Sequence, residues 1–107
     1  MLLKKINNFI TNDKFLLFII FLVSFFINKN YANLGAFPID TFLHFDSGFR
    51  ILNGEYPIKD FWIVSGIVVD YLEALFFYLL GVSWKTHVIH SSLVNGIITL
   101  ATYAVLR

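Results

Sequence analysis

Asp46 and Arg50 stand four residues apart, the spacing that puts an acid and a guanidinium on one face of a helix. Two accounts fit that spacing. One is an intrahelical ion pair in the favourable acid-first order; the other is an acid held by a cation so that it can act as a base or bind a polar head group. Asp70 and Glu73 lie three apart in an otherwise apolar run, where their like charges repel unless a cation or protonation relieves them. The plainest reading makes them the wet face of a helix lying in a membrane interface. His87 and His90 have the one-turn spacing of a metal pair. The chain has no cysteine and no carboxylate immediately beside them in sequence, so packing or interface anchoring is favoured over metal binding.

Positioning these groups falls to a strongly apolar chain. Of its 107 residues 58% are hydrophobic and 19% aromatic, and the mean hydropathy is +0.74, beyond what one small water-soluble core could hide. A net charge of +1 supplies no basic field for nucleic acid. The absence of cysteine removes disulfides and thiolate chemistry. Heavy use of Ile, Lys, Asn and Phe is the bias of an AT-rich bacterial genome.

Residues 1–12 place Leu2, Leu3, Ile6, Phe9 and Ile10 at helical spacing against Lys4, Lys5, Asn7 and Asn8, the pattern of a short interfacial helix. Thr11, Asn12 and Asp13 are cap candidates for the next helix. The uncharged run 15–27 covers only about 20 Å of an about 30 Å hydrocarbon core. Flanking residues must complete a span over 13–31, with Lys14 snorkelling and Tyr31 at the far interface. A secretory signal peptide is the rival reading, but no small-x-small cleavage site follows, since Leu34 occupies a position that wants a small residue.

A second span is predicted over 86–106, with Trp84 and Lys85 at its outer end. Its His87, Ser91, Asn95, Thr99 and Thr102 form one polar stripe beside a Ser92 and Gly96 small-residue pair, and the stripe implies helical partners from outside the chain. Two helices are expected between the spans. One, at about 41–53, is capped by Asp40 or Thr41 and closed by Gly54; the other, at about 66–80, is closed by Gly81 and is too short to cross. Lys4, Lys5 and Lys14 precede the first span and Arg107 follows the second. The region 32–85 sets six acids against Lys29, Arg50, Lys59 and Lys85 at its edges and within it. This asymmetry predicts an all-α, two-span protein of the plasma (inner) membrane, with both termini cytoplasmic and the intervening loop outside.

The stretch Asp46-Ser47-Gly48-Phe49-Arg50-Ile51-Leu52-Asn53-Gly54-Glu55-Tyr56-Pro57-Ile58-Lys59-Asp60-Phe61 resembles the first extracytoplasmic loop of GT-C glycosyltransferases. These are multispanning enzymes related to protein mannosyltransferases and to lipid A or lipopolysaccharide sugar transferases. The later elements of their pattern read here as Gly66-Ile67-Val68 and Tyr71-Leu72-Glu73-Ala74-Leu75-Phe76-Phe77, closing at Leu80-Gly81. Two places depart from it: Ser47 follows Asp46 where a second acid is usual, and Ile67 follows Gly66 where proline is usual.

The resemblance implies transfer of a sugar from a polyprenyl-phosphate donor to an acceptor at the outer membrane face, with no separate cofactor. It puts the base that deprotonates the acceptor on Asp46, with Asp40 as second choice. It also implies that Arg50 and Lys59 hold the lipid phosphate and that Asp60 orients the loop or the acceptor. The family has many more spans than two, so the chain is expected to be the N-terminal part of a longer enzyme, inactive without further transmembrane helices or partner subunits. Two readings from other classes remain: a small two-span protein that assembles with other helices and has no chemistry, and a subunit of a lipid-carrier transporter. The sugar, the acceptor and any metal are not legible.

Overall fold

The computed structural model describes residues 13–35, 39–63 and 66–106, which form four helices: α1 (Asp13–Ala32), α2 (Asp40–Leu52), α3 (Ile67–Leu80) and α4 (Trp84–Leu106). The segment 1–12 lies outside the described residues. Among those described, extended pairing amounts to one isolated bridge between Pro57 and Phe61. The described residues adopt the all-α class read from the sequence, and among them α1 and α4 are the two helices long and apolar enough to cross a membrane, at 20 and 23 residues. Because α1 runs from Asp13 to Ala32, it reaches about 30 Å and overcomes the shortness of its uncharged run.

α1 and α4 pack antiparallel through polar pairs. The Ser24 and Thr99 hydroxyls meet at 2.8 Å, and the Asn95 Nδ2 donates to Ser24 Oγ at 3.0 Å. Further along, Asn28 Nδ2 donates to Ser92 Oγ at 3.1 Å and to Ser91 Oγ at 3.3 Å. The polar stripe on α4, expected to need partners from outside the chain, therefore finds most of them on α1. Thr102 answers itself, donating to the Ile98 carbonyl at 2.9 Å. A Cβ on Gly96 would stand 2.5 Å from the Phe21 ring, so the helices approach closely where α4 has no side chain. Replacing Asn28 by Leu should cost ~0.6–2 kcal/mol of stability in micelles, read by denaturant unfolding, because Ser91 and Ser92 lose their shared donor.

On the other side of these contacts, α1 is apolar and outward-facing: Phe18, Val23, Phe26 and Ile27 are exposed, and no residue of the helix is fully buried. α3 carries the same inversion further. Its acids Asp70 and Glu73 are 1% and 0% exposed, whereas Val68, Tyr78 and Leu79 are 67%, 74% and 65% exposed. The expectation that Asp70 and Glu73 form a wet face is overturned. Asp70, Glu73, Ala74 and Phe77 share one stripe at helical spacing, and that stripe packs inward because the three histidines of the chain meet it there.

α2 begins with Ile39 at its cap position and no side-chain cap bond, so neither Asp40 nor Thr41 serves as the cap. Asp40 instead lies in the first turn, where its charge faces the positive end of the helix dipole. The helix stops at Leu52, and Gly54, at φ +89°, takes the left-handed conformation that turns the chain away. α2 then packs along α3, His44 against Asp70 and Gly48 against Glu73 and Ala74.

Candidate functional site

The exposed cluster centres on Arg50. Its Nε donates to Asp46 Oδ2 at 2.8 Å, one turn earlier on α2, and its Nη1 donates to Glu55 Oε2 at 3.1 Å. Its guanidinium also lies over the Phe61 ring at 5.6 Å. The hydrogen bond and charge of Asp46, then those of Glu55, raise the Arg50 pKa further above its already high value. Arg50 is thus clamped between two carboxylates, of which spacing pointed only to Asp46; Glu55 enters because the turn at Gly54 folds it back on the helix end.

Beyond the clamp the chain makes a tight loop. The Asp60 amide donates to the Tyr56 carbonyl at 2.9 Å, the Ile58 amide to the Phe61 carbonyl at 2.8 Å, and the Tyr56 amide to the Asp60 side chain at 2.8 Å. Asp60 thus holds this loop in shape. Ile58 sits at φ +74°, a strained conformation for a β-branched residue. Lys59 projects over the Tyr56 ring at 5.5 Å. Asp40 lies about 9 Å from Asp46 along the axis of α2 and on a different face. Its carboxylate is exposed and takes no hydrogen bond among the described residues. Arg50 on α2 and Phe61 on the loop come together with Asp46 and Glu55, Asp60 holds the loop through Tyr56, and Asp40 stands apart.

The buried cluster was not legible from local spacing. Glu73 accepts a hydrogen bond from His87 Nδ1 at 2.7 Å on one carboxylate oxygen and from His90 Nδ1 on the other. One turn before it, Asp70 pairs with His44 Nδ1 at 2.7 Å. Aromatic rings close the cluster off: Phe45 against Phe77 at 4.9 Å, Phe76 against His90 at 5.1 Å, and Trp84 against His87 at 5.1 Å. Burial pushes the Glu73 carboxyl up, but other causes, led by the hydrogen bonds of His87 and His90, more than offset this, leaving it below the ordinary glutamate range. Ionised Glu73 is then the acceptor and each histidine donates from Nδ1. Among the described residues, no three of His, Cys, Asp and Glu are arranged to hold a metal ion.

Gly48 makes this cluster possible. A Cβ there would stand 2.5 Å from Glu73 Cγ and 2.9 Å from its Cβ, with the Ala74 backbone nitrogen at 3.3 Å. Gly48→Ala must therefore part α2 from α3 or turn Glu73 off its histidines. We expect a loss of about 1–3 kcal/mol, measured by thermal unfolding in micelles, while Gly35→Ala, with nothing among the described residues within 4 Å of its Cβ position, leaves stability unchanged. Neither a family model, nor a curated protein, nor a solved structure matches this chain.

Proposed function

We propose that this chain is embedded in the plasma membrane by α1 and α4, with α2, α3 and the loop between them at the outer face. In this reading it forms the acceptor-side platform of a glycosyltransferase that takes its sugar from a polyprenyl-phosphate donor. The observation that carries the membrane part is the inverted polarity of α1 and α3, which turn hydrophobic side chains outward and hold carboxylates and amides inside. In water that arrangement exposes large apolar area and buries ionisable groups at once; in an apolar surrounding both costs fall.

The transferase part is supported by the ordered loop elements and by the exposed group of Asp46, Arg50 and Glu55 beside the loop that Asp60 braces. Of the two candidate bases, Asp40 has a carboxylate with no hydrogen bond among the described residues, and Asp46 is engaged in positioning Arg50. We therefore assign proton abstraction from the acceptor to Asp40 and the orientation of a phosphate-binding guanidinium to Asp46 and Glu55. Lys59, on the same loop, is the second phosphate candidate. Outward apolar faces of α1 and α3 suit lipid and additional membrane helices, which the reading requires to complete the donor site.

The second reading is a small helical membrane subunit that uses the same faces for assembly and carries no chemistry; the buried cluster, in which Asp70 and Glu73 are both paired with histidines as in a structural clamp, favours it. Asn substitutions of Asp40 and Asp46 in the intact gene discriminate. Loss of surface glycan with membrane abundance unchanged supports the transferase. Normal glycan in both variants, with the protein present, supports the subunit.

A further inference from the structure

A cavity of about 300 Å³ lies where the end of α1 and the beginnings of α2 and α4 meet, at the lower end of the size range of ligand pockets. Its polar and aromatic lining comes from Asn28, Tyr31, Thr41, Trp84, His87 and Ser91, and among the described residues no lysine, arginine or carboxylate contributes to it. We propose that this cavity binds a neutral sugar ring, with His87 accepting a hydrogen bond from one of its hydroxyls.

His87 is prepared for that task. Its Nδ1 is held by Glu73 at 2.7 Å, which in the neutral ring keeps the proton on Nδ1 and leaves the lone pair on Nε2. His90 is oriented by the same carboxylate, but its Nε2 is enclosed and partnerless. The Nε2 of His87 also has no partner among the described residues, yet it is not sealed off in that way, and its ring lines the cavity. Trp84 lies against the His87 ring at 5.1 Å and near Phe42 at 6.3 Å, so its indole is fixed at the cavity wall.

The rest of the lining suits the same ligand. Asn28 donates from its amide nitrogen to Ser91 and Ser92, which leaves its carbonyl oxygen to accept from a hydroxyl. Tyr31 and Trp84 offer aromatic faces to the C–H side of a ring. A phosphate or carboxylate would enter with no lysine or arginine among the described residues to meet it, and that cost selects a neutral polyol over an anion. Thr41 follows Asp40 in the first turn of α2, so the cavity and the proposed base share one helix end. The inference deepens the transferase reading and rests on it only for the sugar's role as reactant; binding is measured separately.

The test uses the whole protein in a sugar-free detergent, in a Trp62→Phe background that leaves Trp84 as the single tryptophan. Methyl α-mannopyranoside, methyl α-glucopyranoside and inorganic phosphate are titrated while Trp84 emission and the histidine 15N resonances are followed. At least one glycoside should move both signals saturably, phosphate should move neither, and the free protein should carry the His87 proton on Nδ1. Asn28→Ala, which leaves His87 and Glu73 paired, should weaken glycoside binding about tenfold. Silence with both glycosides, a response to phosphate in place of a glycoside, or a proton on Nε2 of His87 overturns the proposal. Asp40→Asn separates the two readings: transfer unimpaired with glycoside still bound contradicts the base assignment alone, and absent binding with transfer lost in Asp40→Asn contradicts this inference alone.

Discussion

Glu73→Ala should cost about 3–5 kcal/mol of folding stability, because it leaves two histidines facing an emptied, ring-lined space with no acceptor for either Nδ1. Glu73 is fully enclosed, so water cannot replace its carboxylate without opening the contact of α3 with α4. Replacing Glu73, His87 and His90 together by apolar residues should cost less than Glu73→Ala alone, since no group is then left unpaired. Denaturant unfolding in micelles measures both. A Glu73→Ala protein as stable as the parent would show that the cluster contributes nothing. The carboxyl's folded pKa lies below its ordinary 4.5, so its contribution is complete above that value and disappears as pH falls through the lower folded value. Acid unfolding of the parent should therefore show a titration below about pH 4.5 that Glu73→Gln lacks.

Asp40→Asn should lower sugar transfer by about 10²–10⁴-fold if Asp40 removes the acceptor proton, with little change in stability because its carboxylate is exposed and makes no hydrogen bond among the described residues. Asp46→Asn should act differently. Arg50 keeps Glu55 and the Phe61 ring, so the clamp loosens without collapsing, and the loss falls mainly on donor affinity. Transfer rates in isolated membranes at several donor concentrations separate the two. A large fall in turnover for Asp46→Asn with none for Asp40→Asn reverses the assignment.

Local patterns carried much of the fold. The two apolar runs, the glycines at 54 and 81 and the four-residue spacing of Asp46 and Arg50 are short-range signals, and each has its counterpart in α1 to α4. What local spacing could not supply was pairing across helices. Asp70 and Glu73 look like a wet face until His44, His87 and His90 are brought to them from 14 to 26 residues away in sequence. A signal was present: Asp70 and Glu73 align with Ala74 and Phe77 on one stripe, and the chain has three histidines for two acids placed in an apolar helix. The stripe on α4 is likewise paired across helices. Ser24 and Asn28 are one turn apart on α1, but nothing in that helix alone says they face Asn95 and Ser92. Glu55 joins Arg50 only through the reversal at Gly54, which helical spacing does not show.

The protein has no cysteine, so single thiols report cleanly on which side of the membrane each segment lies. Lys59→Cys places one in the exposed loop after α2, and Lys14→Cys places one at the start of α1. With a membrane-impermeant maleimide, Cys at 59 should be labelled in intact cells and Cys at 14 only after lysis. Protection of position 59 in intact cells, or labelling of both positions in the soluble fraction, would contradict a membrane-embedded chain with its acid-rich head outside.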